Sequence, residues 1–208
     1  TDESLCRRKR CNFITRIRTQ ENQNRNIRMN IIELVLDEMQ EMMGIQAISI
    51  VENPAIEEDF VALATQKIEF ATQNDEKRIL MGAALIPNKP IYRRNGEEEF
   101  YVYFSKDTIR KASELFFQNG NQNKSTLEHQ AELQGLSVVE SWIVEDEQKD
   151  KSSLYGLQMP VGTWMVSMKV NNDDIWINYV KTGKVKGFSI EGYFVDKVKF
   201  AKQELEIL

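Results

Sequence analysis

The chain has 208 residues, enough for one domain of ordinary size, and 41% of them are hydrophobic, enough for one sizeable core. With 28% charged residues it reads as a soluble protein, and no apolar run approaches the roughly 20 residues that cross a bilayer. The net charge of −5 is uneven: residues 1–28 carry eight Arg and Lys against Asp2, Glu3 and Glu21, which leaves −10 for the rest.

An acidic body argues against nucleic acid as the main ligand, because phosphate contacts need clustered positive charge. Only the basic arm at residues 1–28 could serve that purpose, and it reads as a disordered leader. Cys6 and Cys11 both lie in this arm, so the body holds no disulfide framework, and a reducing compartment is the natural reading. The C-x4-C spacing has no second ligand pair. A metal site is not expected, and neither is a cofactor.

In chain order, Ile31–Leu36 and Ile45–Val51 are rich in β-branched residues, with Gly44 between them. Asn53-Pro54 then forces a turn. Lys67–Thr72, Arg78–Leu85 and Glu97–Phe104 are the next predicted strands, with turns at Asn74-Asp75 and Asn95-Gly96. Ser105 is the N-cap of a helix over 105–119, with Ile109, Ala112 and Phe116 on one face and Gly120 beyond its end. Lys124–Ala131, Leu136–Glu145 and Val161–Val170 follow as strands. A shorter helix over 173–182 carries Ile175, Trp176, Tyr179 and Val180 on one face, and Gly187–Val195 is the last strand. Trp142, Trp164 and Trp176 fall in apolar pattern and are assigned to the core. Strands joined by short turns, with helices inserted between them, predict an α+β fold of mainly antiparallel sheet. The organisation expected is a basic arm at 1–28, a strand-rich extension at 29–80 and a main domain at 81–208, built as an antiparallel sheet or barrel.

The chain has one histidine, His129, so a multi-histidine metal site is excluded. A serine nucleophile with a histidine base needs only one imidazole, since the same group takes and returns the proton. His129 lies in Ser125-Thr126-Leu127-Glu128-His129-Gln130, read as a strand with Leu127 and His129 on one face. Taken alone, a lone histidine on a strand is more often a packing or surface residue. Ser189 stands in Gly187-Phe188-Ser189-Ile190-Glu191-Gly192-Tyr193-Phe194, where alternation puts Ser189, Glu191 and Tyr193 on one face. The flanking glycines allow close approach of another backbone. There is no G-x-S-x-G elbow, which argues against an α/β-hydrolase. Lys184, Lys186 and Lys197 lie near Ser189 in sequence, but a catalytic lysine must be desolvated, and these sit in polar flanks.

A histidine in "STLEHQ" followed 60 residues later by a serine in "GFSIEGYF" resembles the phage prohead proteases, the XkdF-like group above all. "AISIVENPAIEEDFVAL", "VVESWIVED" and "VGTWMVSMKV" are similar to the opening and middle strands of that group. The resemblance runs from about Ile31 to Val195. It implies a herpesvirus-assemblin-like β-barrel with flanking helices and a serine protease that matures procapsids. It also implies Ser189 as nucleophile and His129 as base. Its substrates would be the scaffold and the major capsid protein, and it would act in the host cytoplasm inside the assembling procapsid. A homodimer is compatible with it. For the third catalytic group, a four-residue loop at 132–135 would carry Glu140 to the same sheet face as His129. Asp196 is the next candidate, and a simple Ser–His pair the third.

Overall fold

The computed structural model describes residues 30–37, 40, 43–63 and 77–198, and the described residues from Ile31 onward form one compact unit. The arm at 1–28 and the strand expected at 67–72 lie outside the described residues. The elements are β1 (Asn30–Val35), β2 (Gly44–Val51), β3 (Val61–Leu63), β4 (Ile79–Leu85), β5 (Ile91–Asn95), β6 (Glu98–Phe104) and helix α1 (Lys106–Gln118). After these come β7 (Ser125–Leu127), β8 (Ala131–Leu133), β9 (Leu136–Ile143), β10 (Trp164–Val170), the short α2 (Asp173–Ile175), β11 (Gly187–Tyr193) and β12 (Val195–Asp196).

The strands form three four-stranded sheets, ordered β12-β1-β6-β5, β3-β4-β10-β9 and β11-β2-β7-β8. β2 and β7 run parallel, whereas the pairs β12–β1, β5–β6, β3–β4, β4–β10, β10–β9, β11–β2 and β7–β8 are antiparallel. The fold is therefore mostly β, mainly antiparallel, with two short helices. Among the described residues no pairing closes the sheets into the barrel expected from the sequence. Instead the strands are divided among separate sheets whose buried faces share one hydrophobic cluster.

The core centres on β4 and β10. Their sequences ILMGAAL and WMVSMKV are nearly continuous apolar runs, as strands covered on both faces require. α1 lays Ile109, Ala112 and Phe116 against this core, and the Phe116 ring meets Trp164 edge-on at 5.5 Å. Burying a side chain of that size contributes roughly 1.5–3 kcal/mol. The helix starts where Ser105 Oγ accepts the Thr108 N–H at 3.4 Å. α2 starts on Asn172, whose Oδ1 accepts the Ile175 N–H at 3.1 Å, and runs into one π-helical turn over Trp176–Val180. Trp164 and Trp176 are buried. Trp142 is only half-buried, because its ring N–H reaches out to the Asp150 carboxylate at 3.0 Å.

Candidate functional site

The site begins with strand alternation on β11, which puts Gly187, Ser189, Glu191 and Tyr193 on one face. β2 pairs beside it with Ser49 directly opposite Ser189 and Ala47 opposite Glu191. On the far side of β2 the parallel strand β7 brings Thr126 level with Ser49. A row of small side chains, Ser189–Ser49–Thr126, thus crosses three strands and keeps this face low.

After Leu127 the chain turns back into β8. Glu128 (φ 52°) and His129 (φ 58°) both take the left-handed conformation, and Gln130 N–H closes the turn on Leu127 C=O at 3.0 Å. This corrects the single strand expected over Lys124–Ala131: His129 sits at the tip of a tight turn, not on the strand face with Leu127. Each non-glycine residue held there costs about 1 kcal/mol. Three bonds to β2 and its exit offset that cost. Glu128 N–H donates to Ile50 C=O at 3.2 Å, His129 N–H to Ser49 Oγ at 3.1 Å, and Glu52 N–H to Glu128 Oε1 at 2.7 Å.

The turn folds the imidazole back over β2. Its Nε2 lies 2.9 Å from Ser189 Oγ and its Nδ1 lies 3.1 Å from Glu191 Oε1. The same carboxylate oxygen accepts a hydrogen bond from the Thr126 hydroxyl. With the proton on Nδ1 donated to Glu191, Nε2 is the basic nitrogen and accepts the Ser189 O–H. Ser189 is only 7% exposed, while the His129 side chain is 42% exposed and Glu191 32%. The nucleophile candidate is sunk in the sheet, and the ring that would shuttle its proton faces solvent. Serine, imidazole and carboxylate in that order can carry out nucleophilic acyl transfer with general-base assistance.

Glu191 was not singled out from sequence, although its place two residues after Ser189 put it on the right face. Glu140 is not at this site, and the hairpin expected to bring it there does not form. β8 is three residues long and pairs back onto β7, whereas β9 pairs with β10 in a different sheet. Glu140 faces Ser167 across that pair, accepts from its hydroxyl at 2.6 Å and from Lys151 Nζ at 2.6 Å. The Lys151 bond, aided by Ser167, holds its carboxyl below the ordinary glutamate range. Asp196 lies on β12 beside Leu34, and its Oδ1 accepts the Val198 N–H at 2.8 Å. Lys197 pairs with Glu33 at 2.8 Å, and the Lys184 ammonium lies 5.3 Å from the centre of the Tyr179 ring.

Lys186 lines a cleft of about 610 Å³ with Glu52, Pro54, Asp59, Tyr92 and Arg93. This cleft abuts the site, because Glu52 is held by the neighbour of His129 and Lys186 leads into β11. Gly187 explains the wall between them. A Cβ there would point to the Ser189 face and lie 2.6 Å from both Glu58 C=O and Pro54 Cγ, so the 54–58 segment roofs the start of β11. Gly187→Ala is therefore expected to push this roof away and to cost roughly 1–3 kcal/mol, read as a lower urea midpoint. An unchanged midpoint would mean that the roof yields freely. Among the described residues no group of three or more His, Cys, Asp or Glu could hold a metal ion.

Comparison with known proteins agrees with this chemistry. Residues 67–197, well over half of the chain, match the model of a family described as "Putative phage serine protease XkdF". The matched span contains His129, Ser189 and Glu191. No curated protein and no solved structure matches the chain. A match over this much of the sequence places the chain in that family of phage serine proteases.

Proposed function

We propose that the chain is a serine endopeptidase that cleaves scaffold and major capsid protein, and itself, during procapsid maturation. The observation that carries the catalytic part is the 2.9 Å approach of His129 Nε2 to Ser189 Oγ, with Glu191 on the other ring nitrogen. Membership of a phage serine protease family supports the substrate class, because a phage that encodes such an enzyme has its own assembly proteins to process.

In this reading Ser189 Oγ attacks the scissile carbonyl carbon while its proton passes to Nε2. Glu191 stabilises the imidazolium and keeps its Nδ1–H aimed at the carboxylate. Collapse of the tetrahedral adduct breaks the C–N bond, and the leaving amine takes the proton from Nε2. Water then attacks the acyl-serine and loses a proton to Nε2; collapse breaks the C–Oγ bond, Ser189 Oγ takes that proton back, and the acid is released. The enzyme would act inside the assembling procapsid in the host cytoplasm, where high local concentration favours a homodimer.

Co-expression with the neighbouring capsid genes, followed by intact-mass measurement, tests this. Shortened scaffold or capsid chains are expected with the wild type and full-length ones with Ser189→Ala. Full-length chains in both cases would turn the reading toward a non-enzymatic assembly protein on the same fold.

A further inference from the structure

We infer that Ser49 and Thr126 are positioning residues that fix the His129 imidazole at both ends, an inference that rests on the protease reading above. Ser49 is completely buried and lies between the equally buried Ile48 and Ile50. At such a position an apolar side chain would pack without needing partners, and a buried hydroxyl is tolerated only when bonded. Both of its bonds serve the turn that carries the base: Oγ accepts the His129 N–H at 3.1 Å and donates to Thr126 C=O at 3.2 Å. Ser49 therefore fixes the backbone from which the ring hangs. It also lies opposite Ser189, so its small size leaves the face clear where the ring crosses to the nucleophile.

Thr126 acts on the other end of the ring. Its hydroxyl donates to Glu191 Oε1, the oxygen that also faces His129 Nδ1. A carboxylate oxygen holding two donors cannot rotate without losing both. β-branching restricts the Thr126 rotamer, so the hydroxyl is itself held in place. Ser49 thus sets the backbone of residue 129, and Thr126 sets the carboxylate that sets the ring. The consequence falls on proton transfer from Ser189, not on substrate affinity.

A fluorophosphonate probe, which phosphonylates an activated serine without needing a known peptide, reads this on the full chain. The rate of labelling is measured for each variant, with thermal unfolding alongside. Ser49→Ala is expected to slow labelling about 100-fold, the scale of a misplacement near 1 Å. Thr126→Val, which keeps shape and loses the hydroxyl, is expected to slow it about tenfold, as for a hydrogen bond to a charged group. In a Glu191→Ala background Thr126→Val should change the rate less than about twofold, because the oxygen that accepts its hydroxyl has gone. A merely structural role would slow both backgrounds alike. If Ser49→Ala fails to fold, the half-buried Thr126→Val carries the test by itself. Equal slowing in both backgrounds, or none in either, overturns the inference and leaves the protease reading standing. Wild-type protein that takes up no probe overturns both.

Discussion

Ser189→Ala is expected to bring processing down to the uncatalysed background while leaving thermal unfolding nearly unchanged. The substitution removes one oxygen from a residue that is nearly buried on β11 and adds no bulk, so no cavity of consequence opens. The chemical loss is of another order. Without Oγ no acyl-enzyme forms, and losses of ~10⁴–10⁶ in rate are usual for removal of a serine nucleophile. His129→Ala should fall close behind, because an alcohol with no base at 2.9 Å is a poor nucleophile near neutral pH. The double variant should be no worse than the worse single one, since the two groups act in one step. Fragment release measured by mass spectrometry on a co-expressed scaffold reads all three. Near-native release from Ser189→Ala would remove Ser189 from the mechanism whatever the geometry suggests.

What the sequence disclosed and what it hid divide along physical lines. The helix over 106–118 was legible because its signals are local: the Ser105 cap, the 3.6-residue apolar spacing and Gly120 just past its end. β4, β10 and β11 were legible from apolar runs and alternation. The His129 turn was not. Tight turns with two left-handed residues ordinarily carry Gly or Asn, and Glu128-His129 contains neither, so the segment reads as strand. What holds the turn is Ser49, 80 residues earlier, and no local pattern announces that. The parallel pairing of β2 with the three-residue β7 is equally remote in sequence. A strand that carries His129 puts its carboxylate partner across a hairpin, at Glu140. The correct neighbour was the second residue after Ser189, whose face the alternation of β11 already defined.

That difference separates two conservative variants. Glu191→Gln is expected to reduce the rate of acyl transfer by about 10²–10⁴, the range seen when the orienting carboxylate of such a site is neutralised. The amide keeps the length and shape of the side chain but removes the charge that stabilises the imidazolium. It also offers an NH2 group where the ring needs an acceptor, which favours the tautomer with the proton on Nε2, pointing at Ser189 instead of accepting from it. KM should change little, because no substrate contact is altered. Glu140→Gln should leave that rate within about twofold, since its carboxylate is engaged by Lys151 and Ser167 in another sheet. Its cost belongs to stability and should stay below about 1 kcal/mol, because the pair with Lys151 is nearly half exposed to solvent. The sign follows from its lowered pKa: the ionised carboxylate stabilises the fold at neutral pH, and that contribution is lost as pH falls through the folded-state value. Wild type and Glu140→Gln should therefore converge in melting temperature on acidification, while Glu191→Gln stays slow at every pH where the fold persists. A Glu140→Gln variant as slow as Glu191→Gln would overturn this assignment of the third group.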